Sequence, residues 1–500
     1  LNGKLAPAQN VSTQITAKKD GHLGFGGLNA WQPLGRTAAA GETLLVYVGH
    51  NTKRTGDAAD VSLVFTQYHA EAANVSRSVG LKIGRNEITV PKLASTAAER
   101  GGQLYVAYTG NNASDKYAVR VNGGSSIPVL DVTGKTLSER KAAVRSYITE
   151  LEAYVTGIES QHQAVHDGKE NTKYAYDQKN CILNATDIVM KHMMYSIPAS
   201  QTLAALGNGG LEEKAEKLDN ALKAMEQMMA LFYQHKGLSD STDAAAKGSN
   251  ALPSQHLNIR YMRMFAGAFM YAAGNHIGVE WGSTSLPGAK DWGSFGWGIC
   301  HEIGHNINQG AYAVAEVTNN YFAQLMKSIN ENGATRFQYQ NVYEKVTSNT
   351  KGPASNVATQ LAMYWQLYLA YGTGTDDARM YDSYQQQFDS LFFARVDTYA
   401  RNPKKAPKGE VPLSGDSDQK LMRLACAAAD KNILAFFERW GMEPDKDTIA
   451  YAEKYEKETK AIYYVNEAVR KYRTDNKNET GTVLDQDGVL TAEAQAKPGT

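Results

Sequence analysis

The amino-acid sequence changes character near Thr133, and this change restricts the possible folds more than any other feature. Before it, short strand-like runs alternate with clusters of glycine and other turn residues, whereas after it apolar residues recur at helical spacing. The spacing of the turn clusters favours an antiparallel β-sandwich. A single hydrophobic core stops growing at about 250 to 300 residues, and this chain has 500 residues. We therefore predict a multidomain α+β protein with a β-sandwich at residues 1–132.

Particular strands and helices can be predicted on either side of that point. Strands are expected at residues 44–48, 62–65 and 103–108. Helices are expected at residues 142–158, 357–370 and 420–440, with an exposed loop at 402–417. Thr136 and Glu139 have the spacing of a capping box, which marks the start of the first helix. An amphipathic stripe is expected to be core rather than a cofactor site, and consists of Leu218, Leu222, Met225, Met228, Met229 and Phe232.

Charge and composition exclude several classes of function. Lys plus Arg equals Asp plus Glu at 52 each, so the chain offers no net field for nucleic acid, and no local basic patch is evident. No run approaches the roughly 18 consecutive apolar residues of a membrane-spanning helix. The three cysteines are too few for a disulfide framework or a cysteine metal cluster. A leader-like segment is not evident after Leu1, which leaves export neither shown nor excluded.

The pattern His301-Glu302-Ile-Gly-His305 predicts a metal site. Side chains four apart on a helix share one face, so both imidazoles can bind one zinc ion at about 2.0 to 2.1 Å. Glu302 is placed to act as general base on a water in the open coordination position. Chance occurrence on an amphipathic helix is less favoured, because the chain has only 11 histidines. Asn308 and Ala311 stand where a metzincin has glycine and histidine, which excludes that class.

A zinc ion of this kind needs a third protein ligand, for which Glu316 is the candidate. Eleven residues of unbroken helix would carry Glu316 about 16 Å from His305, so the helix must end between them. Asn308 and Gly310 suit a helix end and a turn. We therefore predict a second helix over residues 311–326 that returns Glu316 to the metal.

The donor to the oxyanion cannot be chosen from the sequence, and three candidates stay open. Tyr312 and Tyr321 follow the motif, and His276 precedes it. His276 is favoured as a structural histidine over a substrate-binding one. It belongs to a predicted short strand at residues 274–281, with which an extended substrate peptide could pair.

Aromatic residues are concentrated just before the first histidine of the motif. They are Trp292, Phe295 and Trp297, and their faces either stack on a sugar or form a pocket wall. Cys300 is adjacent to His301, but its side chain points away from the histidine face of the helix. Cys300 is therefore expected to be a buried residue and not a fourth ligand.

Residues 296–320 resemble the enhancin-like family of gluzincin metallopeptidases, with Trp297 before the histidines, Gln309 after them, and Glu316 and Asn319 beyond. The resemblance extends to residues 31–43, which look like the family's β-rich domain, and to 436–441, which look like its later helical part. It covers most of residues 20–445.

This resemblance implies roles for particular residues. His301, His305 and Glu316 match the zinc ligands and Glu302 the base, while Trp297 and Asn319 match positions suited to substrate or glycan contact. Members are typically secreted or surface-attached and act on mucin-type glycoproteins. The resemblance thus implies a secreted or cell-surface zinc endopeptidase, with an O-glycosylated protein or glycopeptide as its partner. Nothing in the sequence indicates an oligomeric state.

Two alternatives remain: a general endopeptidase indifferent to glycans, and a non-catalytic glycan-binding protein with a vestigial metal site. The intact base and ligands argue against the second. The predicted gluzincin domain spans residues 133–475, with active-site helices at about 299–326 and a helical C-terminal part at 329–471. Residues 476–500 are predicted to form a polar tail or a short hairpin.

Overall fold

The computed structural model describes residues 6–67, 75–93, 101–165, 182–240, 247–262, 264, 268–280, 296–330, 335–372, 381–459 and 462. Contacts divide the chain into two compact units. The first comprises Leu1–Gly21, Gly27–Glu226 and Pro253–Trp292, and the second His22–Gly26, Gln227–Leu252 and Gly293–Thr500. The predicted ranges 1–132, 133–475 and 476–500 group the residues differently and remain a prediction. Residues 476–500, Trp292 and Phe295 lie outside the described residues.

The first unit begins with antiparallel strands. They are β1 (Gln9–Val11), β2 (Gln32–Ala38), β3 (Thr43–His50), β4 (Ala58–Thr66), β5 (Ser76–Lys82), β6 (Gly84–Thr89), β7 (Gly102–Tyr108), β8 (Tyr117–Asn122) and β9 (Ser125–Ser126). Within the described residues they form two sheets, of order β1-β8-β3-β6 and β5-β4-β7-β2-β9. The strands predicted at residues 44–48, 62–65 and 103–108 are confirmed in β3, β4 and β7.

Both of these sheets contribute to one apolar core. Val46 of β3 and Val119 of β8 come from one sheet, and Leu63 of β4 and Val106 of β7 from the other. Along β3 buried residues alternate with more exposed ones, as expected for a strand with one face on a core. The apolar run predicted as a strand at residues 44–48 therefore contributes one of its faces to this core.

A mixed sheet follows in the same unit. Its strands are β10 (Val129–Asp131), β11 (Thr186–Val189), β12 (Met193–Ile197), β13 (Leu257–Met262), β14 (Met270–Ala272) and β15 (Ile277–Glu280), in the order β10-β11-β12-β13-β15-β14. The short strand predicted within residues 274–281 is confirmed as β15. It pairs with β13 on one side and β14 on the other, so β14 and not β15 is the edge strand among the strands that the structure describes.

The helices of the first half of the chain are α1 (Leu137–Val165), α2 (Ala199–Ala205) and α3 (Leu211–His235). The capping box at the start of α1 is confirmed: the Thr136 amide donates to Glu139 at 2.8 Å, and the Glu139 amide donates to the Thr136 hydroxyl at 3.3 Å. The predicted stripe on α3 is also confirmed as core. Its six members are at most 1% exposed: Leu218, Leu222, Met225, Met228, Met229 and Phe232.

The second unit contains the remaining helices. They are α4 (Trp297–Ile307), α5 (Asn320–Asn330), α6 (Tyr339–Thr347), α7 (Val357–Tyr371), α8 (Tyr384–Ser390), α9 (Phe392–Arg401), α10 (Ser417–Ala429), α11 (Leu434–Arg439) and α12 (Lys446–Ala452). The helix predicted at residues 357–370 is confirmed as α7. The one predicted at 420–440 is divided into α10 and α11, because Asp430 adopts a left-handed conformation at the end of α10. The loop at 402–417 is mostly exposed, as predicted. In the described part of the chain, none of the helices is long and apolar enough to span a membrane.

Candidate metal centre

Helix α4 carries both histidines of the motif. His301 and His305 are one turn apart, and the helix ends at Asn308, whose ψ of 133° is extended. The predicted helix end is therefore confirmed. The chain is then held by the segment 22–26, since the Gly310 amide donates to the Gly24 carbonyl at 2.9 Å.

The connection from α4 to α5 differs from the prediction. A helix over residues 311–326 was expected, but residues 311–319 form turns and α5 begins at Asn320. The Thr318 hydroxyl bonds to both the amide and the carbonyl of Val314, at 2.9 and 3.0 Å. Side-chain bonds of this type compete with helical ones, and β-branched residues such as Val317 have low helix propensity. Glu316 consequently reaches the histidines from a turn and not from a helix.

The backbone of Glu316 is strained. Its φ of 64° lies in the left-handed region, which costs a residue with a side chain about 1–2 kcal/mol. The Asn320 side-chain amide donates to the Glu316 carbonyl at 2.7 Å and helps to hold this conformation. Strain maintained by its surroundings is typical of functional positions.

The ligand atoms of three side chains, His301, His305 and Glu316, converge beside α4. The Nε2 atoms of His301 and His305 are 3.2 Å apart, and the Glu316 carboxylate oxygens lie 3.3 Å from the first and 3.1 Å from the second. A tetrahedral zinc ion with bonds of about 2.0–2.1 Å separates its ligand atoms by about 3.3–3.4 Å. The donor set thus has both the chemistry and the size for zinc. The Glu316 side chain is 56% exposed, which leaves the group open to water on one side.

Two consecutive asparagines support His301. Its Nδ1 lies 2.6 Å from the Asn320 Oδ1, and a proton on Nδ1 that is donated to this oxygen leaves the Nε2 lone pair facing the ligand group. Asn319, fully buried, donates to the His301 carbonyl at 3.3 Å. The structure therefore places Asn319 behind the metal helix, and its contact with substrate stays a prediction.

Gly304 allows this close packing. A Cβ atom at residue 304 would lie 2.0 Å from the Asn319 carbonyl oxygen, so no side chain fits between α4 and the backbone of residue 319. Neither Gly304 nor Asn320 was predicted from the sequence as part of the site. The glycine within the motif was the available indication of a close backbone approach.

Comparison with known proteins identifies the family. The sequence profile of the peptidase M60 family, enhancin and enhancin-like, matches residues 184–441, more than half of the chain. The chain belongs to this family. The matched range includes α4, α5 and the three converging ligands, and the resemblance noted from the sequence is confirmed.

Relatives of this chain are distant in sequence. An immunomodulating metalloprotease of Pseudomonas aeruginosa is 21% identical over 359 residues, covering 67% of this chain and 34% of the relative. The chain therefore spans about a third of that relative's length. Two Clostridium perfringens structures share its fold at 22% identity, each covering 93% of this chain and 82% of the other. They are the M60 catalytic domain of ZmpC in complex with the sialyl T antigen, with a TM-score of 0.67, and the ZmpB metallopeptidase, with 0.69.

Glu302 is half-buried beside the ligand group. Burial raises the pKa of its carboxyl, the charge of Glu316 adds to this rise, and His301 opposes it. Burial lowers the pKa of His305, and the neighbouring His301 lowers it further, although Glu316 acts in the other direction. A neutral imidazole is the form that binds a metal ion.

Trp297 begins the metal helix, four residues before His301, and so lies on the same helix face. The Arg336 guanidinium lies 4.5 Å from the centre of the indole ring, in cation–π geometry. One face of the predicted sugar-stacking ring is therefore covered by Arg336.

The candidates for the oxyanion donor are buried and have internal partners. His276 lies in the first unit, where its ring nitrogens bond to the Tyr271 hydroxyl at 2.7 Å and the Asn275 side chain at 2.8 Å. In the second unit, the Tyr312 hydroxyl donates to Asp397, and the Tyr321 hydroxyl bonds to His235. These contacts give all three residues a structural role in the described part of the chain.

Cys300 is fully buried, with its Sγ 3.9 Å from the Met228 sulfur, and burial raises the pKa of its thiol. It is not a member of the ligand group found among the described residues. The expectation that Cys300 packs as a buried residue agrees with this position.

Proposed function

We propose that the protein is a zinc-dependent endopeptidase in which His301, His305 and Glu316 hold one zinc ion and Glu302 is the general base. The observation that supports this most is the convergence of the two Nε2 atoms, 3.2 Å apart, with the Glu316 carboxylate, whose two oxygens lie 3.3 Å from His301 and 3.1 Å from His305. Membership of the M60 family supports peptidase chemistry.

Zinc bound at this position would lower the pKa of a water molecule towards about 7 and polarise the carbonyl of the bond to be cut. Glu302 accepts the proton of the attacking water and delivers it to the departing amine. A carboxyl whose pKa is raised by burial is suited to holding this proton between the two steps. Asn320 keeps the proton of His301 on Nδ1, so that the ligand atom stays unprotonated.

We further propose that the substrate is a mucin-type O-glycosylated protein and that the enzyme is secreted or attached to the cell surface. The ZmpC catalytic domain of the same fold was solved with the sialyl T antigen, a glycan. Trp297 offers an aromatic ring on the histidine face of α4, and aromatic faces suit sugar contact. In this proposal the two sandwiched sheets of residues 1–132 precede a catalytic domain at 133–475, and Asn319 and His276 are weaker candidates for substrate contact.

Cleavage of an O-glycosylated mucin and of its deglycosylated form tests both the proposed peptidase activity and the proposed requirement for a glycan. The wild-type protein should cut only the glycosylated form, whereas zinc-loaded Glu302→Gln should cut neither. Glu453→Gln, which changes an exposed glutamate just after the end of α12, is the matched control and should cut like the wild type.

Other outcomes favour the alternatives. Equal cutting of both substrates would keep the peptidase and reject the glycan requirement. If the zinc-loaded wild type cuts neither substrate, the protein is better explained as a glycan-binding protein with a vestigial metal site.

A further inference from the structure

We infer that Tyr312 and Asp397 are positioning residues for the third metal ligand, Glu316. This inference rests on the proposed zinc site. Tyr312 lies four residues before Glu316 in the connection between α4 and α5, whereas Asp397 is on α9, 81 positions beyond Glu316 in the sequence. Their contact ties the ligand-bearing turn to the interior of the second unit.

Asp397 has a specific arrangement of partners. Its side chain is 1% exposed, one carboxylate oxygen accepts from the Lys236 ammonium at 2.7 Å, and the other accepts from the Tyr312 hydroxyl at 2.5 Å. The Lys236 ammonium also lies 4.8 Å from the centre of the Phe25 ring. Because a buried charge is costly unless it is paired and hydrogen-bonded, this geometry fixes the Asp397 oxygens and hence the Tyr312 hydroxyl.

The turn that carries Glu316 is held on both sides of Tyr312. Before it, the Gln309 side chain donates to the Leu23 carbonyl at 3.3 Å, and Gly310 bonds to Gly24. After it, Asn320 holds the Glu316 carbonyl at 2.7 Å. Asp397 therefore provides the central attachment of the connection.

The Glu316 carboxylate depends on this backbone. Its side chain is 56% exposed, and its ion-pair partners among the described residues are the two ligand histidines. Nothing else observed at the side chain orients it, so its position is set by the strained turn. A strained turn persists only where its surroundings determine it.

Replacing Tyr312 by phenylalanine isolates this effect. The ring can still pack beside Phe393, whose centre is 6.4 Å away, and Asp397 keeps its ion pair with Lys236. Only the hydroxyl that joins the turn to α9 is removed. Because groups that orient metal ligands typically contribute about 10- to 100-fold to metal affinity, we expect zinc to bind at least about tenfold more weakly.

Tyr384→Phe is the matched control. Tyr384 is also buried, and its hydroxyl bonds at 3.0 Å to Thr398, the neighbour of Asp397 on α9, but it lies outside the ligand-bearing connection. Zinc affinity would be measured by competition with a coloured chelator, and thermal unfolding of the zinc-free proteins would be measured in parallel. Both variants should unfold at somewhat lower temperature than the wild type, and only Tyr312→Phe should lose zinc affinity.

Two results would overturn the inference while leaving the zinc site in place: equal zinc affinity of Tyr312→Phe and wild type, or an equal loss in both variants. Unfolding of zinc-free Tyr312→Phe at ordinary temperature would also overturn it, since the hydroxyl would then serve the whole fold. Failure of the wild type to bind zinc would instead reject the proposed function, and the inference with it.

Discussion

Two polar clusters of the molecule differ in whether hydrogen-bond donors face acceptors or acceptors face one another. In the first unit, Arg260 is 1% exposed, and its terminal nitrogens donate to oxygen atoms of five side chains: Tyr105, Ser196, Asn258, Thr66 and Gln103. The Tyr105 hydroxyl in turn donates to Asp187 at 2.8 Å. The other contacts of this group pair donors with acceptors, although Arg260 Nε and Asp187 Oδ2 make no hydrogen bond in the described part of the chain.

At the metal centre the facing atoms are alike. The Nε2 atoms of His301 and His305 and the carboxylate oxygens of Glu316 face one another at 3.1 to 3.3 Å, and all three side chains are partly exposed. In the proposed zinc site both nitrogens are unprotonated, and acceptors this close repel one another unless a cation lies between them. From this difference we infer that the Arg260 cluster stabilises the fold, whereas the metal centre is arranged to bind a ligand.

The largest expected effect comes from breaking the Arg260 cluster. Arg260→Met leaves its polar partners buried without a donor, and loss of one member of a buried charged network costs about 3–5 kcal/mol. We expect a large fall in the unfolding temperature of the zinc-free protein, with little change in the zinc affinity of molecules that remain folded. Arg145→Met, which removes an exposed partner of Glu212, should change the unfolding temperature little, because exposed ion pairs contribute little to stability. Equal effects of the two substitutions would contradict a structural role for the Arg260 cluster.

Removal of zinc should affect the metal centre and leave the Arg260 cluster unchanged. A ligand present at 100 times its dissociation constant stabilises the folded state by about 2.7 kcal/mol. Chelation should therefore lower the unfolding temperature of the wild type and of Arg260→Met by similar free energies, measured by calorimetry. His305→Ala, which lacks a ligand, should unfold at the same temperature with and without zinc. A zinc-dependent shift in His305→Ala would place the ion elsewhere.

The two clusters also differ in how far the sequence could predict them. His301 and His305 are four residues apart, so helix geometry alone brings them together. Glu316 was assigned correctly to this neighbourhood but to the wrong local structure, because the bonds of Thr318 to Val314 that replace the expected helix are not evident from residue patterns.

The Arg260 cluster could not be predicted at all. Its members extend from Thr66 in β4 to Arg260 in β13, which belong to two different sheets, and only the packing of these sheets brings them together. β13 is buried on both faces, so its polar residues Asn258 and Arg260 lie in the interior and not on a solvent-exposed face, as their alternation with apolar residues would suggest. Asp397 was likewise overlooked because its contact with Tyr312 joins positions 85 apart.

Gly304→Ala tests whether the metal centre depends on the close packing of α4. The added methyl group would meet the Asn319 carbonyl, and such overpacking costs about 1–3 kcal/mol. We expect the asparagine backbone to move, with a loss of zinc affinity larger than the loss of stability of the zinc-free protein. Gly157→Ala is the control, since a Cβ atom at this exposed position of α1 meets nothing within 4 Å. It should stabilise α1 by about 0.5–1 kcal/mol and leave zinc binding unchanged.

Asn320 offers the smallest and most specific test, because its side chain makes two separable bonds. Its oxygen accepts from His301 at 2.6 Å, and its nitrogen donates to the Glu316 carbonyl at 2.7 Å. Asn320→Asp keeps the first bond and removes the second, whereas Asn320→Ala removes both. Zinc affinity should fall in the order wild type, aspartate, alanine, with about tenfold between the first and the last. Equal affinities for the two variants would mean that the histidine proton is not held by residue 320, and that the strained turn at Glu316 accounts for the whole contribution of this asparagine.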